Sequence, residues 1–345
     1  MTDRTGDWFA LHIFYAANPQ PLLTQCIAPL VAELEADGLT AGHFFINYWL
    51  EGAHVRLRLR PATPDAEPEV KARAERAVQA YLERRPALYQ MGHGYLGELF
   101  DILFELEFPQ GRPAELIGDD GRMVLQPNNS FQYREYEPEY GKYGGPAGVE
   151  LAEWHFTHST DLVLDVLGTT NAHLRTVLLG TAAQLMLVMA GTFLPDRRDL
   201  ADFLEQYHHF WHRAFSGTDL VGTSEYERMY EPMAGEVAAR MTSVLGALEA
   251  GELDELPRTL RGWAEHCAQL RDRVVELTQE GVLVFSSWDG TTDILQTDPA
   301  QALRTLLSPY LHMTNNRFHV TLRDEAYLSY LMFRVLREEL AVSAT

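Results

Sequence analysis

The stretch His54-Val55-Arg56-Leu57-Arg58-Leu59-Arg60 alternates strictly between apolar and basic residues. That is the pattern of a half-buried β-strand whose two faces carry different chemistry. His54, Arg56, Arg58 and Arg60 then share one face. Neighbours on such a face stand about 6.5 to 7 Å apart, so the guanidinium groups repel one another unless carboxylates or an anionic, carbonyl-rich ligand lies between them. Two readings follow: an outer sheet face laced with salt bridges, or a substrate site. The chain carries 28 Lys and Arg against 49 Asp and Glu, a net charge of -21, so acidic partners for the first reading are plentiful.

Two further stretches hold groups able to do chemistry. In GKYGGPAGVELAEWHFTHST, residues 141–160, Gly144 and Gly145 before Pro146 read as a tight turn whose backbone can approach a ligand closely, with Lys142 and Tyr143 at the rim and a helix from Glu150. A plain loop-to-helix connection would use the same residues. In LLSPYLHMTNNRF, residues 306–318, His312 stands near a helix end and is followed by Asn315, Asn316 and Arg317. An imidazole beside amide and guanidinium donors suits a general acid or base, although a lone histidine also serves as a structural hydrogen-bonding group.

Metal chemistry has weaker support. His208 and His212 are four apart and would share a helix face near Glu205, but no clear third ligand accompanies them. His155 and His158, behind Glu153, are in the same position. Neither group is taken as a metal site. Phosphate-cradling glycine loops, a dinucleotide fingerprint, a zincin helix and a serine elbow are all missing from the sequence, so no cofactor is expected.

The elements that must hold these groups form an α+β pattern. Strands at 8–16, 43–49 and 54–60 and a helix over 21–37 open the chain, the last two strands paired through the turn 50–53. A helix follows over 70–84, then aromatic-rich strand and loop over 89–140. From residue 150 the periodicity is helical, over 150–167, 172–194, 200–214, 236–250, 256–279, 299–314 and 325–340, with a loop at 282–296 marked by Gly281 and Asp289-Gly290. The expectation is one domain over 1–345, a mostly antiparallel sheet-rich half (1–149) packed against a larger helical half (150–345).

Composition narrows the class. With 345 residues, 46% hydrophobic and 22% charged, the chain can bury a sizeable core. Its acidity argues against nucleic acid or an anionic membrane as partner. Residues 177–194 are apolar for nearly a membrane span but include Gln184 and two glycines, and read as a buried helix. Cys26 and Cys267 are too few for a disulfide framework, and the N-terminus lacks a secretory pattern. A cytoplasmic protein is expected.

Taken together, FFINYWLEGAHVRLRLR, EYGKYGGPAGVELAEWHF and LSPYLHMTNNRF resemble, in order and spacing, the three signature blocks of the C-terminal elimination domain of lantibiotic dehydratases. The resemblance spans nearly the whole chain and implies that domain's fold. No part of the sequence resembles the large domain that glutamylates serine from glutamyl-tRNA. Relatives of this kind occur in thiopeptide antibiotic pathways, as glutamate-eliminating partners of a split dehydratase or as pyridine synthases. Elimination domains carry an arginine before Tyr-Gly-Gly, paired with a glutamate three residues earlier. Here Glu139 is kept and the arginine is Lys142, a point cation unable to fork onto a carboxylate. Asn47-Tyr48 likewise replaces Arg-Tyr.

The resemblance therefore implies a cofactor-independent pyridine synthase acting on a ribosomally made precursor peptide with its leader, alone or with other pathway enzymes. Two dehydroalanines of an azole-bearing peptide would join in a formal aza-[4+2] cycloaddition, followed by loss of water and of the leader as an amide. His312 is the expected proton-transfer group, with Tyr143 as a donor and Lys142 polarising carbonyls. His54, Arg56, Arg58, Arg60, Glu139, Asn316 and Arg317 are the expected substrate-binding residues. The alternatives are stand-alone glutamate elimination and, in another class, a non-catalytic leader-binding protein.

Overall fold

The structure, a computed structural model, describes residues 6–88, 100, 103, 104, 107, 108, 111–214, 223–287 and 290–343. Its contacts divide the chain into two compact units, 1–137 with 156–170 and 138–155 with 171–345. The expected division after residue 149 is thus replaced by one that runs through a helix.

The first unit is built on an antiparallel sheet of β1 (Phe9–Phe14), β2 (Thr40–Tyr48), β3 (His54–Pro61) and β4 (Ser130–Arg134), in the order β2-β3-β1-β4. Register places Leu11 opposite Leu57 and Tyr133, and Leu57 opposite Phe45. Phe9, Leu11, Ile13, Phe45, Val55, Leu57 and Leu59 are all buried. Each such side chain contributes about 1.5 to 3 kcal/mol by leaving water. The hairpin turn between β2 and β3 uses positive φ at Glu51 and Gly52.

Helices cover this apolar face. The first runs as α1 (Gln20–Leu22), a π turn (Leu23–Ile27) and α2 (Ala28–Ala36). Pro29 has no N–H to give to the carbonyl four residues back, and the helix widens just before it. α3 (Glu67–Arg84) begins three residues earlier than expected and buries Val70, Ala74, Val78, Tyr81 and Leu82. Lys71 Nζ lies 5.0 Å from the Phe9 ring and 5.1 Å from the Tyr133 ring.

β2 is an edge strand, and exposed edges invite pairing with other chains. Part of α5 (Gly145–Thr169) covers it: Phe45 N donates to Thr160 Oγ1 at 3.4 Å, and His43 Nε2 lies 2.8 Å from Asp161 Oδ1. The other nitrogen of His43, Nδ1, is 3.4 Å from Glu35 Oε1. The two carboxylates thus clamp opposite edges of one imidazole.

The second unit contains α4 (Tyr140–Tyr143), the start of α5, α6 (Arg175–Phe193), α7 (Arg197–Ala214), α8 (Thr223–Tyr230), α9 (Ala234–Ala250), α10 (Arg258–Gln279), α11 (Pro299–Arg317) and α12 (Leu322–Ser343). α6 is the one described helix long and apolar enough to cross a membrane. Its residues 185–193 are buried, it packs on α9, α10 and α11, and Trp263 Nε1 donates to the Leu185 carbonyl at 3.0 Å.

The chain is therefore α+β, as its periodicity implies, with local corrections. α5 begins at Gly145 rather than Glu150. The expected loop over 282–296 contains a hairpin, β5 (Val284–Ser286) with β6 (Asp293–Leu295), whose three-residue strands are too short to show alternation. Asp289, half of its turn signal, lies outside the described residues, as does much of the expected strand and loop over 89–140. α8 had no counterpart in the sequence reading.

The start of α5 is tightly constrained. A Cβ at Gly148 would fall 1.8 Å from the Tyr143 carbonyl oxygen and 2.8 Å from its carbon. Gly148→Ala is expected to destabilise the fold by at least about 3 kcal/mol. A urea-unfolding midpoint equal to that of the parent would contradict this packing.

Candidate functional site

Residues directly opposite on antiparallel strands point to the same face. The register sets Arg56 beside His12 and Ile46, Arg58 beside Ala10 and Phe44, and His54 beside Phe14 and Tyr48. The predicted row of His54, Arg56, Arg58 and Arg60 therefore exists, across the sheet from the apolar face. Aromatic rings lie among its cations. The Arg56 guanidinium sits 3.5 Å from the centre of the Tyr48 ring, and Arg58 lies 5.1 Å from Phe44 and 4.7 Å from Tyr136. A guanidinium stacks well on aromatic faces because it is planar and weakly hydrated. Arg60 Nε donates to the Gly6 carbonyl at 3.3 Å.

The two histidines of this face are uncharged at neutral pH. Burial, then the Arg56 cation and neighbouring His54, lower the His12 pKa to about 2. Burial lowers that of His54 to about 3, against the opposing effect of its bond to Gly52. His54 Nδ1 is 2.8 Å from the Gly52 carbonyl, and its Nε2 accepts from Arg56 Nε at 3.1 Å. At 3% exposure, His54 orients Arg56 rather than touching a ligand, a correction to its expected binding role. Arg56, Arg58 and Arg60 are half-buried and present surface.

The second and third sequence blocks meet in the helical unit. Tyr143 stacks on Tyr310, ring centres 6.0 Å apart at 19°. Tyr143 is thus buried, not displayed at a rim, which removes it as a proton donor to substrate. Gly144 and Gly145 have φ of +91° and +82°. The close backbone approach they allow is used by the protein itself, Val284 N donating to the Gly144 carbonyl at 3.1 Å. Lys142 and Glu139 are exposed and pair at 3.1 Å.

His312 is the best-organised chemical group. Pro309 interrupts the hydrogen-bond ladder of α11 just before it. His312 Nδ1 lies 2.9 Å from Oε1 of Glu325, and the other oxygen, Oε2, accepts from the Tyr207 hydroxyl. Glu325 has no exposed surface, whereas the His312 side chain is 24% exposed. Trp211 packs on the imidazole at 4.8 Å and 35°. Among the described residues, His312 Nε2 makes no hydrogen bond. An ionised carboxylate on Nδ1 favours the Nδ1–H tautomer and leaves Nε2 as the basic nitrogen. Burial and the Glu325 charge push the Tyr207 pKa well up, so its hydroxyl keeps its proton.

Other expectations change. Arg317 has no exposed surface, and its Nη1 donates to the Met313 carbonyl at 2.9 Å. It braces the end of α11 and cannot reach a peptide directly. Asn316 is half-buried beside it. His208 Nδ1 is 2.7 Å from the Ala326 carbonyl, while Glu205 pairs with Arg337. That cluster joins α7 to α12, and among the described residues it forms no group of three ligand atoms. His155 Nδ1 lies 2.9 Å from His266 Nε2 in a buried stack.

Sequence reasoning missed Glu325, Tyr207 and Trp211. Glu325 was visible only as an acid beginning the last helix, a common helix-start signal. His12 was missed too, although a polar residue inside FALHIF was a usable signal.

Residues 8–336 match the family described as lantibiotic biosynthesis dehydratase, C-terminal. No curated protein matches the sequence. Among solved structures, "Pyridine synthase, TbtD, from thiomuracin biosynthesis" is 20% identical, with a TM-score of 0.73 over 97% of this chain and 99% of that one. TsrL is 19% identical, with a TM-score of 0.65 over 97% and 95%. The tRNA-dependent lantibiotic dehydratase MibB from Microbispora sp. 107891 is 17% identical, with a TM-score of 0.49 over 100% of this chain and 29% of that one.

The neutral histidines set a pH dependence. Their folded pKa values lie below 6.5, so the unfolded chain takes up protons that the folded chain refuses. Stability therefore falls as pH drops from about 6.5 towards 3, by at most about 1.4 kcal/mol per pH unit per histidine. His12→Phe should give a shallower fall of the urea midpoint between pH 6 and 4. An unchanged slope would show that His12 takes up its proton in the folded state.

Proposed function

From its membership of the lantibiotic dehydratase C-terminal family, to which residues 8–336 assign this chain, we propose that the protein is a pyridine synthase of thiopeptide biosynthesis. The observation that carries this reading over glutamate elimination is Lys142. It stands where elimination domains have an arginine, and it meets Glu139 through a single ammonium nitrogen. An ammonium cannot offer a departing glutamate two parallel bonds in one plane. The end-to-end match with a chain described as a pyridine synthase supports the same reading.

The substrate is a leader-bearing peptide with azoles and two dehydroalanines. Joining two distant residues of a flexible chain is first an entropic task, and holding them in register accelerates closure greatly. Within the sheet unit, Arg56 and Arg58, held against aromatic rings, donate to carbonyls of the leader peptide. Reaction begins when an amide becomes its iminol tautomer, losing the N–H proton and gaining one on oxygen. His312 Nε2 is the base for such a transfer, and its imidazolium form stays paired with Glu325. The azadiene, with carbon at both ends and nitrogen inside, then adds to the second dehydroalanine, forming two C–C bonds and moving its remaining double bond to C=N. Loss of water and of the leader amide makes the ring aromatic, and each expulsion needs one proton removed from carbon or nitrogen and one given to the leaving group. The imidazole can shuttle both.

Incubating the purified protein with a dehydrated azole peptide and weighing the products tests the assignment. The expected result is a cyclised product lighter than the substrate by one water and the leader, together with free leader amide. Loss of glutamate from a glutamylated peptide would support elimination. Unchanged peptide with retained binding would support a leader-binding protein.

A further inference from the structure

We infer that Glu325 and Tyr207 are positioning residues that set the tautomer of His312, so that its outward nitrogen is the basic one. The inference rests on the proton-transfer role proposed for His312, but its structural half stands on geometry alone. Glu325 lies on α12, 13 residues beyond His312, and has no exposed surface. Burying a carboxylate is costly unless it is hydrogen-bonded. Both its oxygens are engaged: Oε1 with His312 Nδ1 at 2.9 Å, Oε2 with the Tyr207 hydroxyl.

The arrangement has a direction. An ionised Glu325 accepts and cannot donate, so the proton shared with His312 resides on Nδ1. Tyr207 is buried at 3% exposure and bonds to Glu325 Oε2, while its other side-chain partner, Trp211, has an indole N–H that can only donate. Its hydroxyl must therefore donate to that carboxylate. Nε2 is left with a lone pair on the exposed side of the ring, and Trp211 against the ring face limits its rotation. When Nε2 takes a proton, the imidazolium faces Glu325. When it gives the proton back, the neutral Nδ1–H form returns, and Glu325 itself is unchanged.

Glu325→Gln separates this role from a structural one. The amide is close in shape, but Tyr207 must still donate to an acceptor and so takes the Gln oxygen. The NH₂ group then faces His312 Nδ1 and forces the Nε2–H tautomer. Removing the Tyr207 hydroxyl as well frees the amide to turn its oxygen back towards His312.

The test uses histidine-selective ¹⁵N labelling of the full chain, with the His312 signals assigned by their loss in His312→Phe. The parent should show Nε2 as the unprotonated nitrogen, and Glu325→Gln should reverse this. On the dehydrated azole peptide, kcat of Glu325→Gln should fall by about 10²- to 10⁴-fold, with KM nearly unchanged. The double variant Glu325→Gln/Tyr207→Phe should recover both the tautomer and much of the rate. Nε2–H in the parent overturns the inference without any variant. So does a folded Glu325→Gln with the parent tautomer, or a double variant no better than the single one. If the parent turns over no peptide, the proposed function fails while the ¹⁵N spectra still decide the inference.

Discussion

A carboxylate with no contact with water must find its hydrogen bonds inside the protein, and Glu325 finds them on helices far apart in sequence. Tyr207 comes from α7 and His312 from α11, while Glu325 itself opens α12. An unpaired buried carboxylate would cost several kcal/mol, so these three helices are held in one arrangement. The same requirement aims the imidazole. His208, bonded to the Ala326 carbonyl, and Arg337, paired with Asp202 and Glu205, fasten α7 to α12 on either side of this centre. The packing of the helices and the orientation of His312 are thus set by one group of hydrogen bonds.

The sheet unit meets a different constraint: several cations on one face of a protein that is acidic overall. Arg56 lies over the Tyr48 ring and Arg58 close to the Phe44 and Tyr136 rings, so each cation has an aromatic neighbour. Holding His12 and His54 neutral keeps two further positive charges off that face near pH 7. A face of this kind suits carbonyl-rich peptide backbone, which needs donors and flat apolar surface more than net charge.

Much of this was legible in local pattern. The period of two in HVRLRLR placed the arginines on one face, and the family resemblance, in which a glutamate pairs with a cation three residues on, pointed to the contact of Glu139 with Lys142. The long apolar run at 177–194 is helical as expected, and its second half, 185–193, is buried. What failed to show was set by partners distant in sequence. Tyr143 looks like a rim residue until Tyr310 is seen beneath it, and Arg317 looks like a ligand donor until the Met313 carbonyl is seen to take it. Gly144 and Gly145 announce a close approach but not by what, and the answer is a hairpin almost 140 residues later. Glu325 carries a helix-start signature that conceals its bond to His312.

Turnover and leader affinity measured on one folded His312→Phe variant test the account most directly. If His312 carries the proton transfers, the variant retains the parent's melting behaviour and leader affinity and loses most pyridine formation. Near-normal pyridine formation by that variant would contradict the account and leave substrate positioning as the source of catalysis.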